Sequence, residues 1–306
     1  MNEKNTLIDV QQRAKANNSV SDALNIDKDD EMPLYQSQMA KQEKANSEEG
    51  KEKDEQDFLY EKEIECPVCF DKFQYLEIKS NSYGVEKIDS DFLRYCSNIN
   101  PLFYGVIICQ KCGYAGLKQY FNKVTPTGRK LIKEKITSKW QKREYPKKYD
   151  LDIAIERYKL SLLNAVTKMA RSGEIADICL RLCWLYRLKE DSEKELHYMK
   201  QAIYGFKEAL EKESNSVVGI DAATLTYLVG ELSRRGGDFQ TASIYFSQIL
   251  FDKTAKPSLK EKARIQRDIL KNQMEAIKTE DEDLPNGDGL DNKVEQANNG
   301  KKFFFF

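Results

Sequence analysis

Two cysteine pairs carry the clearest chemistry in this sequence: Cys66-Pro67-Val68-Cys69 and Cys109-Gln110-Lys111-Cys112. A C-x-x-C turn aims both thiolates at one point and offers backbone N–H groups to the sulfurs, so two such turns supply a tetrahedral four-sulfur site. Gly113 after the second pair can take a positive φ freely. Phe70 holds the same place after the first, where a positive φ is strained unless packing holds it or the turn takes another form. A redox pair of the thioredoxin kind should open a helix after a strand, and here Pro67 and Gly113 suit turns. Unrelated thiols would have no reason to pair twice. An iron centre could use the same four ligands. The preferred reading is one structural Zn²⁺ held by Cys66, Cys69, Cys109 and Cys112. Four thiolates leave no position for a reactive water, so the metal is expected to fasten and not to catalyse. Lys62, Lys72 and Lys111 stand nearby to ease the negative charge.

The remaining chemistry is sparse. Cys96 faces a metal already satisfied. Cys179 and Cys183 lie one helical turn apart on an apolar face and read as small core residues. His197, the one histidine in the sequence, has no evident second base beside it. There is no P-loop, dinucleotide glycine pattern or nucleophile elbow. Asp89 and Asp91, with Tyr104, could form a polar site between ribbon and helices, although a hydrogen-bonded turn is the plainer reading. No catalytic residue is assigned, and an enzyme is the less supported class.

The elements that must position the cysteines follow from composition and pattern. Residues 58–125 alternate short aromatic and β-branched runs with Gly, Asn and Ser, and FQYLEIKS and YGVIIC read as strands. Thirty-nine residues, 70–108, separate the cysteine pairs, enough for the spacer to have structure of its own. The pattern then turns helical up to about Ile277, broken by short turns that force neighbouring helices antiparallel. The expected division is a disordered acidic tail at 1–57, a zinc-ribbon-like domain at 58–125, a basic linking helix at 126–149, a helical domain at 150–278 and a second disordered acidic tail at 279–306. A short frayed helix near Met39–Ala45 and the terminal run of four phenylalanines lie in those tails. A break at Cys112 is expected to unfold residues 60–125 and leave the helices standing. No apolar run approaches the roughly 20 residues that span a bilayer, so the expectation is a cytoplasmic protein without membrane contact.

The stretch TYLVGELSRRGGDFQTASIYFSQIL resembles one tetratricopeptide (TPR) unit, with Gly230 at a close helix crossing, Gly237-Asp238 at the turn, and Phe239, Ala242 and Phe246 on the second helix. It departs at Thr226 and Tyr227, where that repeat prefers tryptophan. Three imperfect stacked hairpins are expected, and such arrays commonly present a concave face to a peptide. Arg181, Arg187, Arg234 and Arg235 could flank that face and favour an acidic ligand. Between Lys118 and Lys148 the chain holds 11 basic and 2 acidic residues. Arg129, Lys130, Lys133, Lys139, Trp140, Lys142 and Arg143 combine cations and a ring as nucleic-acid binding requires, although an acidic protein surface or simple solvation would also explain them.

The segments LYEKEIECPVCFDKF, DSDF and NPLFYGVIICQKCGYAG together resemble a bacterial family of uncharacterised proteins, a domain of unknown function. The likeness spans roughly residues 58–255. It is carried by Cys66, Pro67, Cys69, Asp89, Asp91, Phe92, Asn100, Pro101, Leu102, Tyr104, Cys109, Cys112, Gly113, Tyr114 and Ala115. Phe70 departs from it, since the family more often has glycine there. The resemblance implies a zinc ribbon joined to a TPR-like half and implies no reaction. The chain thus reads as α+β: a small β-rich zinc ribbon followed by an all-α array of antiparallel hairpins. The expected role is a zinc-binding interaction module, scaffold or adaptor, for a protein or peptide partner. The runner-up is a nucleic-acid-associated factor. The oligomeric state is not specified by any of these features.

Overall fold

The computed structural model describes residues 54–213 and 219–282. The Met39–Ala45 helix, the terminal phenylalanines and most of both tails lie outside the described residues. The described residues begin at Asp54, ahead of the expected Phe58. A 3₁₀ turn, Glu55–Phe58, is capped by Asp54. Glu55 is held there by Lys148 at 2.9 Å and by the Tyr104 hydroxyl at 3.3 Å.

Among the described residues, six short strands make three two-stranded antiparallel sheets. β1 (Leu59–Glu65) pairs with β2 (Lys72–Ile78), β3 (Val85–Ile88) with β4 (Arg94–Cys96), and β5 (Val106–Ile108) with β6 (Ala115–Leu117). The first and third hairpins carry the two cysteine turns at their tips. Glu65↔Lys72 closes the ladder below the first turn, and Ile108↔Ala115 closes it below the second. β5 is buried on both faces, and the two-residue period of a strand decides what each face meets. Ile107 joins the cysteine core with Tyr114, Phe121, Ile132 and Ile136. Val106 and Ile108 point the other way, into a core shared with the helices.

Seven α-helices follow among the described residues: α1 (Pro126–Lys135), α2 (Leu151–Thr167), α3 (Ser172–Leu188), α4 (Ser192–Lys212), α5 (Ala222–Arg235), α6 (Phe239–Phe251) and α7 (Pro257–Glu282). The chain is α+β, with small antiparallel sheets before a helical array. Aspartates start the helices: Asp150, Asp191, Asp221 and Asp238 each accept an N–H from the first turn. Two connections share one geometry. Glu190 (φ 60°) precedes Asp191 and Gly237 (φ 82°) precedes Asp238, each ending one helix in the left-handed region just before the next cap.

The basic segment is not the single helix expected over 126–149. α1 stops at Lys135, one 3₁₀ turn follows at Thr137–Lys139, and residues 140–149 are irregular. Pro146 cannot supply an N–H and disfavours helix at Tyr145. Tyr149 instead turns inward and stacks on Tyr104, with ring centroids 4.8 Å apart.

Successive cores run along the array. The first joins β5, β6, α2 and α3, with Ile178, Leu182 and Leu185 from α3. The second joins α3, α4 and α5 through Cys179, Cys183, Phe206 and Leu228. The third holds Tyr227, Phe246 and Leu259 from α5, α6 and α7. The helices approach closely where side chains are small. A Cβ on Gly205 would stand 2.9 Å from that of Ala176, and one on Gly230 would stand 3.0 Å from the Phe246 ring. Cys179 and Cys183 are buried core residues as expected, and burial pushes the Cys179 thiol up to about 12.

Candidate metal centre

Cys66, Cys69, Cys109 and Cys112 bring their four sulfurs within 4.8 Å of one another. Cys66 and Cys112 sulfurs are 3.6 Å apart, and so are those of Cys69 and Cys109. Four sulfurs about 2.3 Å from a common ion stand about 3.8 Å apart in a tetrahedron, so the set has the size and the donor chemistry of a metal site. Cys66, Cys109 and Cys112 are almost wholly buried.

The two turns are built alike. Phe70 N–H donates to the Cys66 carbonyl at 2.9 Å, and Gly113 N–H donates to the Cys109 carbonyl at 2.9 Å. Cys66 N–H donates to the Asp71 carbonyl, as Cys109 N–H does to that of Tyr114. Phe70 has φ 63° and Gly113 has φ 76°. The first turn therefore uses the same conformation as the second, with a residue that pays for it in strain of about 1–2 kcal/mol. The Arg129 guanidinium lies 4.9 Å over the Phe70 ring. At the second turn the glycine is required twice, since a Cβ there would meet Trp140 Cδ2 at 2.5 Å.

The segment after the strands holds both turns by their carbonyls. Arg129 Nε donates to Pro67 O at 2.8 Å, Thr137 Oγ1 to Cys112 O at 2.9 Å, Trp140 Nε1 to Gln110 O at 2.8 Å, and Asn164 of α2 to Gly113 O at 3.2 Å. Lys111 reaches across from the second turn to Asp71 beside the first, at 2.8 Å. Proton sharing among the sulfurs splits their acidities. Hydrogen bonding to Cys109 raises the Cys112 and Cys66 thiols, and the contacts from Cys112 and Cys66 hold Cys109 low. A cation among the sulfurs would remove that competition and let all four ionise.

This arrangement reassigns part of the basic segment. Arg129 and Trp140, expected as nucleic-acid contacts, are engaged with the cysteine turns. Arg143 pairs with Glu156 and lies 5.6 Å over the Trp140 ring. Lys130 stands 3.9 Å from Glu134, while Lys133, Lys139 and Lys142 are exposed.

Asp89 and Asp91 come together, but with arginines and not with Tyr104. Asp91 is fully buried and receives Arg187 Nη1 at 3.1 Å, Arg187 Nη2 at 2.7 Å and Trp184 Nε1 at 3.1 Å. Asp89 accepts from Arg187 at 3.2 Å and from the Tyr95 hydroxyl at 3.2 Å. Burial alone would push the Asp91 carboxyl up, but Arg187 and Arg235 outweigh it and hold the group at about 2. Tyr104 lies in a separate cluster, where its oxygen accepts the Tyr149 N–H at 3.1 Å.

The four arginines expected to flank a peptide groove are bound to carboxylates of this chain. Arg187 holds Asp89, Asp91 and Glu195; Arg234 and Arg235 hold Glu231; Arg181 holds Asp177. The occupant of the arginines on α3 and α5 is the chain itself. Ser90 donates to Glu231 at 2.6 Å and accepts from Arg235 at 2.9 Å, Tyr227 donates to the Ser90 carbonyl at 3.1 Å, and Phe92 packs on the Tyr227 ring at 5.6 Å. Glu231, Trp184 and Tyr227 were not singled out for this role by sequence reasoning. The pointer to it was the Asp-Ser-Asp-Phe segment, which looked like a polar turn.

The fold and site define a chain with two cysteine-tipped hairpins fused to a helical array. It belongs to the family described as "Uncharacterized protein conserved in bacteria (DUF2225)", whose profile matches residues 59–270. A relative from Borreliella burgdorferi, named "Uncharacterized protein", is 24% identical over 202 residues, covering 55% of this chain and 69% of the relative. No solved structure matches the chain. No helix among the described residues is long and apolar enough to cross a membrane.

Proposed function

We propose that the four cysteines bind one structural Zn²⁺, and that the protein is a cytoplasmic scaffold or adaptor whose TPR-like array takes a protein or peptide partner. The division into a ribbon (58–125), a basic linker (126–149) and an array (150–278) belongs to the same reading. The observation that carries it is the seating of Ser90–Phe92 against α3 and α5. The array already grips a tight acidic and aromatic turn, closed by Phe92 N–H on the Asp89 carbonyl at 2.8 Å, through Arg187, Arg235, Trp184 and Tyr227. Farther along, α4 leaves Tyr204 and α6 leaves Ile244 and Phe251 more than half exposed, side chains suited to an apolar contact.

Zinc is favoured by a closed all-sulfur set, and elemental analysis with an absorption spectrum tests it. A colourless protein with one zinc per chain supports the reading; a coloured iron–thiolate protein overturns it. For the partner, the test is capture from nuclease-treated bacterial lysate by the wild-type chain and by Tyr204→Glu and Phe251→Glu variants. A partner lost in either variant supports the adaptor reading. Capture that disappears with nuclease would favour the nucleic-acid alternative, which rests on exposed Lys133, Lys139 and Lys142 without the Trp140 ring.

A further inference from the structure

A cavity of about 350 Å³ lies between the second cysteine hairpin, β2 and the irregular 140–149 segment. Arg157 of α2 lines it and is only 4% exposed. Arg181, Arg187, Arg234 and Arg235 all meet carboxylates, as described above. The Arg157 guanidinium instead has one carbonyl, Val106 O at 2.6 Å, and two rings, Tyr149 at 4.2 Å and Tyr145 at 4.9 Å. No carboxylate forms an ion pair with it among the described residues, and the adjacent Glu156 is taken by Arg143 and Tyr145. Arg157 Nε and Gln110 Oε1, both on residues of the cavity wall, are buried without a hydrogen-bond partner.

A buried charge without a counter-charge is costly by several kcal/mol, and each unmade buried hydrogen bond adds about 1–3 kcal/mol. The wall therefore holds a buried cation, Arg157, for which an anionic hydrogen-bond acceptor is missing. The rest of the lining fits such an occupant. Lys142, Arg143 and Arg157 outnumber Glu144, and the partly exposed rings of Tyr75 and Tyr145 offer flat apolar surface. A guanidinium fork matches the paired oxygens of a carboxylate or phosphate, and a tyrosine face matches a planar ring. The volume is near the low end for small-molecule pockets, which run from about 300 to 1,000 Å³.

We propose that this cavity is a binding site for a small ligand that joins an oxyanion to one flat ring, with Arg157 as the counter-ion. Two sources have that chemistry, nucleoside monophosphates and aromatic carboxylates, and the experiment separates them.

The full, zinc-loaded chain is titrated calorimetrically with the four ribonucleoside 5′-monophosphates, with 4-hydroxybenzoate, and with inorganic phosphate and free nucleosides as the partial ligands. At least one ring-bearing oxyanion is expected to bind about tenfold tighter than phosphate or nucleoside alone. Arg157→Met should lose about tenfold or more in affinity while melting no lower than wild type, because it removes an unpaired buried charge. Lys142→Glu, on the exposed rim, gives an independent readout should the first variant fail to fold, and should weaken binding about threefold or more. The proposal is overturned if no ring-bearing oxyanion binds below about 10 mM. It is equally overturned if phosphate alone binds as well as the best ligand, or if binding survives both substitutions.

Discussion

Arg187 on α3 and Asp91 in the spacer between the cysteine pairs face each other with two hydrogen bonds, at 3.1 and 2.7 Å, on a carboxylate wholly shielded from water. The pair fastens the cysteine-bearing half to the helical half. Removing one partner of a buried pair costs about 3–5 kcal/mol. Asp91→Asn should fall near the low end of that range, since Asp89 and Glu195 still face the guanidinium. Urea denaturation measures it. Asp91→Leu combined with Arg187→Met should recover most of the loss, and a double variant as unstable as the single would contradict the assignment.

The same carboxylate sets an acid limit. Asp91 titrates at about 2 in the folded chain, against an ordinary 3.8. A lowered folded value means that the unfolded chain binds the proton first, so the stabilisation is complete above pH 4 or so and is lost as pH falls through about 2. The shift corresponds to about 2 kcal/mol. Wild type should therefore lose stability more steeply than Asp91→Asn between about pH 4 and pH 2. Parallel curves for the two proteins would show that another group sets the limit.

The cysteine turns predict opposite tolerance at equivalent places. Gly113→Ala puts a Cβ in a positive-φ turn and 2.5 Å from Trp140, so it should destabilise by about 2 kcal/mol or more. Phe70→Gly relieves strain of similar size but loses the contact with Arg129, worth about 0.5–1 kcal/mol where exposed. Its effect on thermal stability should lie within about 1 kcal/mol of zero.

Metal removal, or Cys112→Ser, should reach further than the sequence suggests. Residues 60–125 looked separable from the helices. In the structure Val106, Ile108, Ala115 and Leu117 pack in one core with Ala154, Tyr158, Ile178 and Leu182. Chelation should therefore lower the melting temperature followed by far-ultraviolet circular dichroism, a signal that comes mostly from helix. An unchanged helical transition beside a lost metal would restore the separable picture.

The cysteine quartet was legible because ligand spacing is a local property, and each turn needs only about six residues to form. The α+β class and the helical array were legible for a related reason, since hydrophobic period and turn residues are read along the chain. What long-range pairing decides was not legible. Nothing around Asp89 and Asp91 announces the two arginines, Arg187 and Arg235, and the tryptophan, Trp184, that lie roughly 90 to 150 positions away, and the same residues read locally as a turn and as a groove. The basic segment failed for a similar reason. Its lysines are exposed as their composition suggests, but Arg129 and Trp140 look no different in sequence from their solvated neighbours. Only the fold shows that they hold the cysteine turns.

One consequence follows from α3, whose residues enter two adjacent cores. A substitution at Ile178 or Leu182 on one side, or at Cys179 or Cys183 on the other, is felt by a different set of neighbours each time, and no face of the helix can drift freely. The array's outermost helix, α7, has neighbours on one side alone among the described residues. Over evolutionary time the two helices should therefore keep different clocks, with α3 changing slowly at nearly every position and α7 recording divergence between lineages along its open face.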